Sequence, residues 1–132
     1  MFVGDELDHF MATVAAAIGP ETTDHLLVAA DGDAPVGAAL ARAEPMAQGV
    51  TNLLFVGVAR SVRRQGRASA LIERVERLAR AEAHRLVIVE TAGVAQFEPA
   101  RALYRRHGFE EEARVRDFYD IGLDKLIYRK AL

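Results

Sequence analysis

The sequence predicts an α+β fold, a single domain over residues 1–132 whose mixed, mostly antiparallel sheet contains one parallel strand pair. Three observations carry this expectation. Leu53-Leu54-Phe55-Val56-Gly57-Val58 is apolar at both alternating positions, as suits a strand covered on both faces. Beyond it, Ala68, Leu71, Ile72, Val75, Leu78 and Ala79 recur at three-and-four spacing, the stripe of a helix packed on a sheet. Residues 85–91, with Leu86-Val87-Ile88-Val89, then read as a second buried strand. Strand, helix and strand in that order imply a right-handed, locally parallel crossover.

The remaining elements follow in order. Leu7, Phe10, Met11, Val14 and Ile18 mark an amphipathic first helix, stopped by Gly19-Pro20. Residues 25–30 and 36–42 read as a hairpin about the Asp31-Gly32-Asp33 turn, and 45–50 as a short loop. On the long helix, Glu73 with Arg77 and Glu76 with Arg80 are expected as outer-face i,i+4 pairs. Residues 91–96 form a small-residue loop. Pro99 fits the first turn of another helix, and Gly108 its C-terminal stop. Residues 109–116 and 125–129 read as a closing antiparallel pair.

Composition narrows the function. With 17 basic and 19 acidic residues the net charge is −2, which argues against nucleic acid or an anionic membrane surface as partner. The absence of cysteine removes disulfides, thiolate metal sites and a cysteine nucleophile. His9, His25, His84 and His107 are scattered without ligand spacing, so no metal is expected. No signal peptide or transmembrane span is expected, and a cytoplasmic protein is the default.

The connection between the central strand and the long helix carries the chemistry. Arg63-Arg64-Gln65-Gly66-Arg67-Ala68-Ser69 puts a glycine and three arginines at a helix start, where backbone N–H groups and the helix dipole favour an anion such as phosphate or pyrophosphate. The stretch has neither G-x-x-x-x-G-K-[ST] nor G-x-G-x-x-G, which disfavours a P-loop and a Rossmann turn. Arg63, Gly66 and Ala68 instead match [QR]-x-x-G-x-[GA], and Ala100-x-x-Leu103-Tyr104-x-x-x-Gly108-Phe109 matches A-x-x-L-Y-x-x-x-G-F. Both motifs, in this order and about forty residues apart, resemble those of the GNAT superfamily of N-acetyltransferases.

That resemblance implies the acyl-CoA N-acyltransferase fold: a central parallel pair that splays, with helices on both faces. It implies acetyl-CoA as cosubstrate and a small-molecule or peptide primary amine as acceptor. The pyrophosphate would sit on the backbone of residues 63–69, and pantetheine would add along Val56, Gly57 and Val58. Tyr104 would lie near the thioester sulfur, where a phenol can protonate the leaving thiolate. Many members place a glutamate six residues before the position of Val58; here Asn52 stands there and cannot act as a base. Glu90, at the end of the next strand, is the leading substitute, with Asp117 or a water chain held by Asn52 and Thr51 as alternatives. The segment Met1-Phe2-Val3 is too short for the usual first strand, which makes a homodimer covering a bare edge an expectation. A non-catalytic acyl-CoA-binding module is the alternative to an enzyme.

Overall fold

The computed structural model describes residues 25–31, 34–59 and 66–132. The expected first helix, the Met1-Phe2-Val3 segment judged too short for a first strand, and Arg63-Arg64-Gln65 lie outside the described residues. Strands β1 (His25–Asp31) and β2 (Ala34–Ala43) lead into β3 (Val50–Val58), helix α1 (Arg67–Ala81) and β4 (Leu86–Ala92). A short 3-10 turn (Ala95–Phe97) runs into α2 (Glu98–Arg106), and β5 (Glu110–Asp120) and β6 (Leu123–Ala131) close the chain.

The six strands form one sheet in the order β1-β2-β3-β4-β6-β5. Among the described strands only β3 and β4 pair in parallel, as the strand–helix–strand order predicts. The other four pairings are antiparallel. Helix α1 packs over β1, β2 and β3, burying Leu71, Ile72, Val75 and Ala79. These join Leu53, Val87, Val89, Leu103, Tyr104, Phe109, Leu126 and Tyr128 in one core. Fully burying a Val, Leu, Ile or Phe side chain contributes about 1.5–3 kcal/mol, so this cluster sets the stability of the domain.

One sequence expectation is corrected. Glu76 does not pair with Arg80 on an outer face; it is 6% exposed, and its carboxylate meets the Lys130 ammonium of β6 at 2.5 Å. Helical spacing alone puts Glu76 beside Arg80, but the returning β6 brings a cation to the flank of α1.

Candidate active site

The site begins where β3 and β4 part. Their parallel register runs from Val50↔Leu86 to Leu53↔Val89 and stops there. On the other side of β3, Leu40 pairs with Phe55 and Ala41 with Leu53. Leu54 is therefore the extra residue of a β-bulge, a feature that bends a strand and increases its twist. The bend coincides with the last parallel pair. Meanwhile β4 continues on β6 through Glu90↔Ile127, Thr91↔Leu126 and Ala92↔Lys125. The expected divergence of the parallel pair thus has a local cause, one inserted residue in β3.

A cleft of about 780 Å³ occupies the gap, a size typical of small-molecule sites. Its walls are Leu54, Phe55 and Val56 of β3, Glu90, Thr91 and Ala92 of β4, and Val94, Gln96, Phe97, Ala100 and Tyr104 of the following turn and α2. Tyr119 and Leu123, from the β5–β6 tip, complete it. Three of the sequence candidates, Val56, Glu90 and Tyr104, therefore meet in one cavity. Gly57 and Val58 continue β3 beyond it, paired with Ala38 and Gly37 of β2.

Tyr104 is 5% exposed, its ring about 6 Å from those of Phe109 and Tyr128. Burial pushes its phenol up to about 12, because the phenolate would lose its hydration. The hydroxyl therefore stays protonated at neutral pH and can donate a proton. Glu90 faces Lys125, whose Nζ lies 3.0 Å from Oε2. The same Nζ sits 4.0 Å from the centre of the Phe118 ring, a cation–π contact.

At the start of α1, Gly66 is the N-cap with φ 77° and ψ 8°. That left-handed conformation favours glycine, and the space where a Cβ would stand is open. Ala70 N–H already donates to Gly66 O, and α1 has no acidic residue in its first turn and no side-chain cap. An anion meets no like charge from the helix there. Ala68 packs against the core. Arg67 is partly buried. The hydroxyl of Ser69 is hydrogen-bonded to His107 Nε2 at 2.9 Å, which ties the start of α1 to the end of α2.

The alternatives for the base lie elsewhere. Asn52 is buried and donates from Nδ2 to Glu44 Oε1 at 2.7 Å, while Thr51 Oγ1 bonds His84 Nδ1 at 2.6 Å. Both residues belong to the paired part of β3 and do not line the cleft. Asp117 holds a turn, accepting from Gly122 N–H at 2.7 Å.

Several residues of the site escaped the sequence reading. Arg101, 8% exposed, donates through one terminal nitrogen to the carbonyls of Ala92 and Val94 at 2.7 and 2.9 Å. Its other nitrogens bind Glu98 at 2.9 and 3.1 Å. The loop after β4 is thereby fastened to α2. Glu98 also pairs with Arg105, which with Arg101 holds its carboxyl below the usual range. Asp124 accepts from Asp117 N–H at 3.0 Å and from Arg114 at 2.6 Å, and these bonds lower its carboxyl in turn. The Glu98-x-x-Arg101 spacing was the one local signal for any of these.

This fold, with its splayed parallel pair beside a glycine-capped helix, defines an acyltransferase class. The family model described as "Acetyltransferase (GNAT) family" matches residues 3–109, so the chain belongs to that family. Among solved structures, the chain is similar to a GNAT-family protein from Desulfovibrio desulfuricans at 31% identity, covering 98% of this chain and 83% of that one, with a TM-score of 0.87. A GNAT family acetyltransferase from Elizabethkingia anophelis with acetyl-CoA bound shares the fold at 15% identity and TM-score 0.73, over 97% and 82% of the two chains. The ribosomal-protein-S18-alanine N-acetyltransferase of Escherichia coli does so at 20% identity and TM-score 0.72, over 91% and 75%. No curated protein matched the sequence. No helix among the described residues is long and apolar enough to cross a membrane.

Proposed function

We propose that the protein transfers the acetyl group of acetyl-CoA to a primary amine of a small molecule, or of a peptide, by direct attack within a ternary complex. The observation that carries this reading is the meeting of Glu90 and Tyr104 in the cleft opened by the Leu54 bulge. Acetyl-CoA supplies the activated acyl group. Its pyrophosphate suits the backbone N–H groups of residues 66–69, with Arg63, Arg64, Gln65 and Arg67 as flanking donors. Its pantetheine arm suits the edge formed by Val56, Gly57 and Val58.

An ammonium acceptor must first lose a proton, and Glu90 is the carboxylate in the cleft wall that can take it. The amine nitrogen then bonds to the carbonyl carbon, and the carbon–sulfur bond breaks. The departing thiolate takes the proton of the Tyr104 phenol, which burial keeps protonated until then. The second proton, released by the amide nitrogen as it forms, restores the phenol through solvent. No cysteine exists to carry the acetyl group between the two substrates.

Release of thiol from acetyl-CoA against a panel of amines tests the proposal. Tyr104→Phe should lower turnover by about a hundredfold or more while leaving acetyl-CoA affinity near that of the parent. Equal turnover in the variant would remove Tyr104 from the chemistry.

A second reading, a non-catalytic acyl-CoA-binding module, rests on Asn52: the position that bears a glutamate in many relatives holds an amide committed to Glu44. Binding of acetyl-CoA without turnover of any amine would favour it. We also propose one domain over residues 1–132, in the cytoplasm and able to pair as a homodimer. A monomeric mass by light scattering at micromolar concentration would count against the pairing.

A further inference from the structure

We infer that the acceptor is a monoamine with an apolar aromatic or aliphatic body, in preference to a polyamine or an amino sugar. The inference rests on the acetyl-transfer reading above and concerns what the same cleft recognises. Most of the wall is hydrocarbon: Phe55, Phe97, Tyr119, Leu54, Leu123 and Val94. Among the described residues lining it, Glu90 alone carries a charge, and that charge is already balanced by Lys125 at 3.0 Å.

An ammonium group therefore finds one carboxylate whose field is partly cancelled. A second or third ammonium finds no further acid among the described residues of this wall, and against its aromatic rings would be desolvated without a partner from them. A hydroxyl-rich ring fares little better, since among the described lining residues Thr91 and Gln96 are the other polar side chains besides the two tyrosines. An apolar body loses water-exposed surface against the same rings at about 25 cal/mol per Å².

The aromatic wall is built, not incidental. Between Val115↔Lys125 and Asp120↔Leu123 the β5–β6 register slips, leaving residues 116–119 as a bulge. Asp117 turns there with φ 54°. The Asp124 carboxylate holds that turn through Asp117 N–H and Arg114, and Gly93 N–H donates to Asp124 O at 3.0 Å. Phe118 is then stacked under Lys125 at 4.0 Å, with the Tyr119 ring edge-on to it at 5.0 Å. Tyr119 is thereby turned into the cleft mouth. One lysine thus fixes the carboxylate and the aromatic wall together.

The test compares 2-phenylethylamine, hexylamine, spermidine and an aminoglycoside as acceptors, with binding of acetyl-CoA followed by thermal shift. Expected is kcat/KM for phenylethylamine or hexylamine at least about tenfold above the polycations, the range a hydrophobic pocket discriminates. Tyr119→Ala should raise KM for phenylethylamine several-fold with kcat held. Lys125→Met, which leaves the Glu90 charge unopposed, should move the preference toward spermidine. Faster turnover of spermidine or the aminoglycoside by the parent would overturn the inference and leave acetyl transfer standing. Binding of acetyl-CoA with no turnover of any amine would overturn the transfer reading, and the inference with it.

Discussion

The ring of Phe55 occupies the place where a side chain on Gly57 would begin: a Cβ built at Gly57 would lie 2.6 Å from Phe55 Cζ. The two residues share one face of β3, and the missing side chain of the second lets the ring of the first lie back along the strand. Phe55 lines the cleft, so this contact governs how much of the gap stays open.

Gly57→Ala should therefore push the Phe55 ring toward the cleft. Expected is a fall in acetyl-CoA affinity of about tenfold, equivalent to ~1.4 kcal/mol, measured by titration calorimetry. Phe55→Ala in the same chain should restore most of it, because the clash needs both groups. Unchanged binding in the single variant, or no recovery in the double, would show that the ring has another way out.

Tyr104 gives the fold a high-pH signature. Its folded-state value near 12 lies above the unfolded value near 10, so the native state holds its proton where the unfolded chain has lost it. The corresponding stability is complete below pH 10 and declines as pH rises toward 12, by about 3 kcal/mol for a shift of two units. Urea unfolding of the parent and of Tyr104→Phe at pH 9 and pH 11.5 should show a smaller decline in the variant. Parallel declines would mean the phenol is better hydrated than its surroundings indicate.

Arg101 should behave as a buried strut. Arg101→Ala removes the donors held by the Ala92 and Val94 carbonyls and leaves both without that partner. A loss of about 2–4 kcal/mol is expected by chemical denaturation. Lysine at the same position, lacking the planar fork, should recover less than half. A change under about 0.5 kcal/mol for alanine would show that the loop holds itself.

The Glu76–Lys130 pair should be costly to break and cheap to replace. Lys130→Ala leaves a carboxylate at a position only 6% exposed without its cation, at about 3–5 kcal/mol. Replacing both residues by leucine should return much of that. If the double variant is as unstable as the single, packing around the aliphatic stems outweighs the charge.

Helical periodicity made the stripe of α1 legible, and strand alternation did the same for β3 and β4. The crossover rule then gave the single parallel pair. Two short motifs marked Gly66 and Tyr104, and the end of β4 marked Glu90. Glu76 was misread because its partner arrives from β6, 54 positions along the chain. Arg101 drew no reading from the sequence, since nothing in its neighbours tells that two carbonyls of the preceding loop fall within its reach. Tyr119 sits on a strand exposed along its whole length, and only the slipped register beside it turns the ring into the cleft.

Local order thus came from the sequence itself: periodicity, glycine and proline stops, and the crossover act over a few residues or along one connection. The tertiary structure decided the rest. A single extra residue in β3 opened the gap, and side chains from β4, α2 and the β5–β6 tip converged on it. Convergence of that kind depends on distances between segments far apart in the chain, which packing of the whole core sets and no stretch of sequence carries alone.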